Sequence, residues 1–444
     1  MPKDMLDGLY PEHLQVLMRR ADRVLEKCGY DALVVHAGSP PVQFLDDQDY
    51  PYKVNPHFKA WVPITNNSRS ILIYVPGNKP KVLFHQSDDF WHKPAPLPTG
   101  AWTAAVDLQA LPRASEGSAH WANLGRPAFI GPPGEFDAVD ASALNPAPVL
   151  NLLHYDRAVK TAYELECLRR ASRLGALGHR AAHAAFLAGE SEFTANLRYL
   201  EACQLREEDL PYNNIVAYNE NAATLHYQHL DRAVPQPLRA FLIDAGAQFR
   251  GYASDITRTY AAEKGAFADL VAAVDGAQQS LCQEIVAGRD FREVHLTAHR
   301  VLGDVLHRIK LIDVAGQDAL DLGLTSVFFP HGIGHLLGLQ VHDVGGVMGN
   351  AAGDKERSRP DGHPYLRLTR ILEPGVVVTV EPGVYFIDSL LARAQADARR
   401  AHINWTMIEA LRPCGGVRIE DDVVTGANGP ENLTRDAFVA ACAS

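Results

Sequence analysis

Apolar residues between Pro11 and Lys27, Leu14, Leu17 and Val24 among them, recur at helical spacing, and this predicts a helix over that stretch. Short apolar runs follow. Ala32–His36 (ALVVH), Ile71–Val75 (ILIYV) and Lys81–Phe84 (KVLF) are rich in β-branched residues and bounded by Gly, Pro and Asn, so they predict strands. The region up to about residue 155 therefore reads as a small α/β domain. Thr161-Ala-Tyr-Glu164 has the spacing of a capping box, in which the Thr hydroxyl and the Glu carboxylate satisfy free N–H groups of the first turn. Leu165, Leu168, Ala171 and Leu174 carry the apolar face onward. A second domain is expected from this helix, dividing the chain into 1–158 and 159–444. From Phe241 the pattern changes: strands with β-branched residues alternate with two helical stretches, Phe267 to Ala287 and Phe291 to His307.

Several of these apolar runs end on charge. Phe241-Leu-Ile-Asp244 is one strand and Gly251–Tyr260 a second, with Gln248–Arg250 as the turn between them. A turn centred near Phe249 and Arg250 sets Asp244 opposite Asp255, with Cβ atoms roughly 5 Å apart. Like charges that close are destabilising without a cation between them. Val376–Val380 ends on Glu381-Pro-Gly383, and Val417–Val424 is predicted as a further strand in which Arg418 and Glu420 share a face. A glutamate closing an apolar run can equally be a plain strand terminus. His331, His335 and His342 fall within twelve positions. No Glu follows His331, and Gly332, Gly334 and Gly338 argue against a regular helix, so a loop delivering separate histidines to one cavity is expected. Four carboxylates and up to three imidazoles form an oxygen-rich set. Such a set suits Mn²⁺, Co²⁺ or Fe²⁺ better than a structural zinc, and two divalent ions neutralise four carboxylates.

Composition narrows the partners. The chain of 444 residues is 47% hydrophobic, enough for two or three domains. Its net charge is −11, from 53 acidic and 42 basic residues, which repels nucleic-acid backbones. No uninterrupted apolar stretch is long enough to span a membrane, and the N-terminus MPKDMLDGLYPEHLQ lacks the apolar core of a signal peptide. Six scattered cysteines without a CxxC pair predict reduced thiols in a cytoplasmic protein.

The order DAG…D…T, HGIGH, VHDVG, EPGVYF and RIED resembles the pita-bread metallopeptidases, which include methionine aminopeptidase, aminopeptidase P, prolidase and creatinase. QFLDD (Gln43–Asp47), VNPHFKAW (Val54–Trp61), the run EPGVYFIDSLL and the insertion ending HINW (His402–Trp405) look most like the bacterial prolidases, or Xaa-Pro dipeptidases. The resemblance implies an α+β protein: a C-terminal pita-bread catalytic domain behind a smaller N-terminal α/β domain. It implies Asp244, Asp255, His335, Glu381 and Glu420 as ligands of two divalent cations, Mn²⁺ foremost, with Asp255 and Glu420 bridging. Asp244 would bind the second ion, and His335 and Glu381 the first. It implies His226 and His331 as oxyanion-stabilising groups, His342 and Arg367 as the grip on a substrate carboxylate, and Tyr212 and Arg418 as further site residues. Phe291 stands where a relative has a tyrosine in a substrate subsite, which leaves side-chain preference open.

The activity implied is hydrolysis of the bond before a C-terminal proline. Hydroxide held between the two ions attacks the carbonyl, and Glu381 carries the proton to the leaving nitrogen. Phosphotriester hydrolysis is a secondary expectation, because tetrahedral phosphorus resembles the same intermediate. The resemblance also implies a homodimer in which a residue of one chain reaches the other's site, Asp47 first and Trp91 second. The competing readings are an aminopeptidase P-like enzyme acting on longer peptides, and a non-catalytic peptide-binding member of the fold.

Overall fold

The predicted N-terminal helix forms as α1 (Met5–Cys28) and begins two turns early, so that Pro11 lies inside it and one backbone hydrogen bond is forgone. Its buried face is Leu6, Tyr10, His13, Leu14, Ala21, Val24 and Leu25. The structure, a computed structural model, describes residues 5–136, 139–426 and 428–443. The chain divides into two units. One holds the residues up to Cys167 with Arg250–Tyr252 and Asn350–Lys355, and the other holds the rest.

The first unit is built on a mixed five-stranded sheet, ordered β4-β3-β2-β1-β5. β1 (Ala32–His36), β2 (Ile71–Tyr74) and β3 (Lys81–His85) match the predicted strands within a residue at their ends. β4 (Asp107–Leu111) and β5 (Pro127–Ile130) complete the sheet by parallel pairing with β3 and β1. One face buries Val34, Ile71, Ile73, Leu83 and Phe129. Helices α2 (Pro56–Trp61) and α3 (Ala147–Arg157) also belong to this unit. The capping box is present: Thr161 N–H donates to Glu164 Oε2 (2.9 Å), and Glu164 N–H donates to Thr161 Oγ1 (3.4 Å). It opens α4 (Ala162–Leu187).

In the second unit α4 and α5 (Glu192–Cys203) bury Ala182, Phe186, Ala195 and Tyr199 against a three-stranded antiparallel sheet. That sheet is β6 (Ile215–Tyr218), β7 (Ala240–Asp244) and β10 (Thr257–Ala261), with the short β8 (Gln248–Phe249) and β9 (Tyr252–Ala253) at the turn. α6 (Ala266–Cys282) ends before the predicted Ala287, because the chain turns there and reaches positive φ at Gly288. α7 (Phe291–Arg308) forms as expected. No helix is long and apolar enough to cross a membrane, among the described residues.

Two expectations are corrected by the register. Asp244 pairs with Thr257, and not with Asp255. The turn centres on Arg250 and Gly251, both at positive φ (49° and 86°), one residue later than expected. That shift moves the pairing by two residues, so Asp244 and Asp255 are diagonal neighbours and still share a face. The strand expected over Val417–Val424 is two pieces, β13 (Gly416–Arg418) and β14 (Asp421–Val424). Its partner is broken at the same level, into β11 (Val377–Val380) and β12 (Gly383–Tyr385). Pro382 lies in that gap and has no N–H to give to a ladder. β14 continues outward to pair with β15 (Glu431–Asn432).

Candidate active site

The register brings the carboxylates together. Val380 pairs with Asp421 and Gly383 with Arg418, so the same register carried through the break sets Glu381 opposite Glu420. Both glutamates leave their own ladder. Glu420 N–H donates to Thr257 O (3.0 Å), and Glu381 N–H donates to Ile333 O (2.8 Å). Thr257 is itself the partner of Asp244. Asp244, Thr257, Glu420 and Glu381 therefore form one row across four strands, and side chains in such a row point to one face. Residues two away share that face, which adds Asp255 before Thr257 and Arg418 before Glu420.

The HGIGH segment approaches from the far side. It is irregular, as its glycines predicted. A Cβ at Gly334 would sit 2.0 Å from the Thr379 carbonyl oxygen, so only glycine allows the approach that lets Thr379 N–H donate to His335 O (3.0 Å). His335 Nδ1 lies 3.0 Å from Leu336 O. A carbonyl can only accept, which assigns the proton to Nδ1 and leaves Nε2 facing Asp255 Oδ2 (3.4 Å) and Glu381 Oε1 (3.7 Å). Asp255, His335 and Glu420 each place one ligand atom within 4.8 Å of the others.

Electrostatics in this cluster are out of balance. Burial pushes the Glu381 carboxyl up to about 7, against the pull of His335. Burial and the charges of Asp255, Glu381 and Asp244 hold Glu420 well above the carboxylate range. Burial also raises Asp244, although Arg418 opposes it. Asp255 goes the other way: burial would raise it, but His335, when protonated on both nitrogens, hydrogen-bonds it and brings it below its ordinary value. One buried guanidinium, Arg418, stands against four carboxylates. The donor set, four carboxylates and one oriented imidazole, fits two divalent cations by both charge and chemistry.

Arg418 is engaged at each of its three nitrogens. It donates from Nη2 to Asp244 Oδ2 (2.7 Å), from Nη1 to the Tyr385 hydroxyl (3.0 Å) and from Nε to Thr257 Oγ1 (3.2 Å). Thr257 Oγ1 in turn donates to Glu420 Oε2 (2.7 Å). The Tyr212 hydroxyl is 2.8 Å from Asp244 Oδ1 and 2.5 Å from Asp255 Oδ1. His331 contacts Gly332 O through Nδ1 (2.9 Å) and the Tyr385 hydroxyl through Nε2 (2.9 Å). Nδ1 must then donate and Nε2 accept, so His331 has no N–H left over in this arrangement. Burial lowers its pKa to about 3.

Asp244, Asp255, His335, Glu381, Glu420, Arg418, Tyr212 and His331 line one cavity of about 930 Å³, with Thr257 and Tyr385 behind them. His226, His342 and Arg367 line it as well and are exposed to solvent. The His342 ring meets the His335 ring edge-on, with centroids 4.5 Å apart. Although its edge reaches solvent, desolvation within the cavity, followed by the charges of His335 and Arg367, lowers the His342 pKa to about 4. Three predicted residues lie elsewhere, among them Trp91, exposed in the first unit. Asp47 is exposed in the first unit, accepting from the Gln48 side chain (3.1 Å). Phe291 is fully buried at the start of α7 and is not among the cavity-lining residues. Sequence reasoning missed Tyr385 and Arg359. Tyr385 sits in the EPGVYF run already singled out, whereas Arg359, which lines the cavity and donates to Leu366 O (2.7 Å), had no local signal.

Comparison with known proteins follows the same lines. Residues 8–155 match the family described as Xaa-Pro dipeptidase, N-terminal domain, and residues 166–427 match metallopeptidase family M24. The Xaa-Pro dipeptidase of Xanthomonas euvesicatoria pv. vesicatoria is 48% identical over 443 residues, covering 99% of this chain and 100% of the relative. That of Stenotrophomonas maltophilia is 49% identical over 442 residues, covering 98% of each. Among solved structures, Escherichia coli aminopeptidase P with the inhibitor Pro-Leu superposes with a TM-score of 0.71 at 25% identity, covering 98% of this chain and 99% of that one. Proline aminopeptidase P II from Yersinia pestis gives 0.70 at 26%, covering 98% and 100%.

Proposed function

The chain belongs to metallopeptidase family M24 and to its Xaa-Pro dipeptidases, and from that premise we propose how its own residues do the work. The observation that carries the reading is the row Asp244, Thr257, Glu420 and Glu381, completed by Asp255 and His335 at the floor of the cavity. Asp244, Asp255, His335, Glu381 and Glu420 hold two divalent cations, Mn²⁺ in preference to Co²⁺ or Fe²⁺. When bound, such a pair activates a water and polarises the scissile carbonyl. Glu381 accepts the water's proton and passes it to the proline nitrogen. His226, exposed in the cavity wall, donates to the developing oxyanion. For His331 to donate as well, it gives up its Tyr385 bond and takes a proton at Nε2. Tyr212 and Thr257 hold Asp244, Asp255 and Glu420 in their orientations.

Arg367 and His342 bind the free carboxylate of the proline residue, and this limits the substrate to dipeptides. Arg418 is a weaker clamp candidate, because each of its three nitrogens already donates, to Asp244, Tyr385 and Thr257. Arg359, which also lines the cavity, is the second candidate. Hydrolysis of Ala-Pro against Ala-Pro-Ala with added Mn²⁺ tests the reading. Turnover of the dipeptide alone supports it, and equal turnover of the tripeptide supports an aminopeptidase P-like specificity instead. Slow phosphotriester hydrolysis at the same centre is a further part of the proposal.

The domain division at 158/159 falls between the two family matches, and we retain it. We also infer a homodimer to which Asp47 and Trp91 contribute. Its support is a set of exposed apolar side chains around those two residues: Val42, Phe44, Leu45, Phe90 and Trp91 itself, at 62, 87, 91, 85 and 77% exposure. A sedimenting monomer with undiminished turnover would remove this part. The cytoplasm is the proposed location, where the buried thiols of Cys203, Cys282 and Cys414 stay reduced.

A further inference from the structure

A second cluster of metal-binding side chains lies in the catalytic unit, outside the carboxylate site. His295 and His299 sit one turn apart on α7, and His363 comes to them from the segment that follows Arg359. The three ring centroids are 4.5–4.7 Å from one another. One ring nitrogen from each lies within 4.8 Å of the other two. His295 and His299 are each 1% exposed.

The polar atoms of this cluster are incompletely used. His299 Nδ1 lies 2.8 Å from the Thr325 hydroxyl, while its Nε2 is buried with no hydrogen-bond partner. His295 Nδ1 is likewise buried and unpartnered. His295 Nε2 and His363 Nδ1 are 2.9 Å apart, two lone-pair atoms with a single proton to share between them. Burial followed by the neighbouring imidazoles lowers His295 to about 2 and His299 to about 3, so both rings are neutral with lone pairs available. Packing against Phe329 explains the aromatic contacts of His299, at 4.9 Å, and His295, at 6.1 Å. It does not explain two buried ring nitrogens without partners, which native interiors avoid.

We propose that His295, His299 and His363 form a mononuclear site for a borderline transition-metal cation, best matched by Zn²⁺, separate from the carboxylate centre. Three imidazoles without thiolate or carboxylate suit zinc, copper or nickel better than manganese, and a water supplies the fourth tetrahedral position. Thr325 fixes the His299 ring, as hydrogen-bonded partners of ligating histidines generally do. The consequence reaches the substrate cavity. Arg359, Pro364, Tyr365, Leu366 and Arg367 line it on either side of His363 in sequence. A cation tying His363 to α7 therefore anchors that wall, including the residues proposed to bind the substrate carboxylate.

The test uses the manganese-loaded full-length enzyme dialysed against low-micromolar Zn²⁺, with both metals measured by mass spectrometry. The wild type should take up one zinc per chain above its manganese, with an X-ray absorption spectrum showing imidazole nitrogens at about 2.0–2.1 Å. His363→Ala, a change in a half-buried loop, and His299→Gln should lose that equivalent and keep their manganese. Thr325→Val should weaken zinc binding about 10–100-fold. No extra zinc in the wild type overturns the proposal. So does zinc that enters only by displacing manganese, with an oxygen-dominated shell, or uptake unchanged in His363→Ala.

Discussion

Arg418 donates from Nη2 to Asp244 Oδ2 at 2.7 Å, and this is a buried ion pair inside a cluster of carboxylates, with side-chain exposures of 5 and 14%. Removing one partner of a buried pair typically costs about 3–5 kcal/mol, because the other charge is left uncompensated. Arg418→Met should therefore lose about that much in urea unfolding with EDTA present. With saturating Mn²⁺ the loss should be smaller, since the ions supply positive charge to Asp244. An equal loss in both conditions would make Arg418 a packing residue only.

The metal itself should be visible as stability. A ligand that binds only the folded state stabilises it by mass action, about 2.7 kcal/mol at a hundredfold excess over Kd. EDTA should lower the melting temperature by several degrees and abolish turnover, and Mn²⁺ should restore both. Full activity in protein shown to be metal-free contradicts the two-cation reading.

Glu381 is opposite Glu420 in register and beside His335. Glu381→Gln keeps the shape and removes the charge and the basicity. kcat should fall by at least the factor of about 10²–10⁴ associated with a general base. If kcat survives while metal content is unchanged, another group moves the proton.

Arg367 is exposed on the cavity wall, so the contact proposed for it with a substrate carboxylate is of the ordinary charge-assisted kind, about 1.5–3 kcal/mol. Its partner is charged in both ground and transition states, so the loss should appear chiefly in KM. Arg367→Ala should raise KM for Ala-Pro roughly 10–150-fold by that energy, with kcat comparatively spared. It should also narrow the gap between Ala-Pro and its C-terminal amide. An unchanged gap transfers the clamp to Arg359.

Acid should unfold the protein partly through His179. The residue is fully buried, 3.0 Å from Ala245 O through Nε2, and burial lowers its pKa from 6.5 to about 3. The unfolded chain takes up a proton below 6.5 and the folded one does not, so stability is complete above that pH and declines as pH falls toward 3. The slope is about 1.4 kcal/mol per pH unit for one such histidine. In EDTA, which removes metal loss as a variable, His179→Gln should show a shallower decline between pH 6.5 and 4 than the wild type. Parallel curves would exclude His179 as a contributor.

Much of this protein was legible from local pattern. The capping box at Thr161 and Glu164, the strands at Ala32 and Ile71, and the irregular HGIGH segment all depend on nearest neighbours and on the conformational limits of Gly, Pro and β-branched residues. Asp244 and Glu381 stood out as charges that end apolar runs, and the resemblance to the pita-bread metallopeptidases supplied the full ligand set. The error at Asp244 and Asp255 shows where this stops. Placing the turn one residue early moved the pairing by two, and only the alternation of faces kept both carboxylates on the same side.

What the sequence determined by itself was the set of side chains and the local shapes that carry them. Tertiary structure decided their assembly. Nothing near Glu381 in the chain says that Pro382 breaks its strand opposite the break at Glu420. Nothing near Thr257 says that its carbonyl takes the freed Glu420 N–H. His363 meets His295 across 68 residues, and Arg359 meets the cavity with no motif around it. Such pairings are set by which strands and loops pack together over long separations, and the free energy that selects them belongs to the buried whole rather than to any segment.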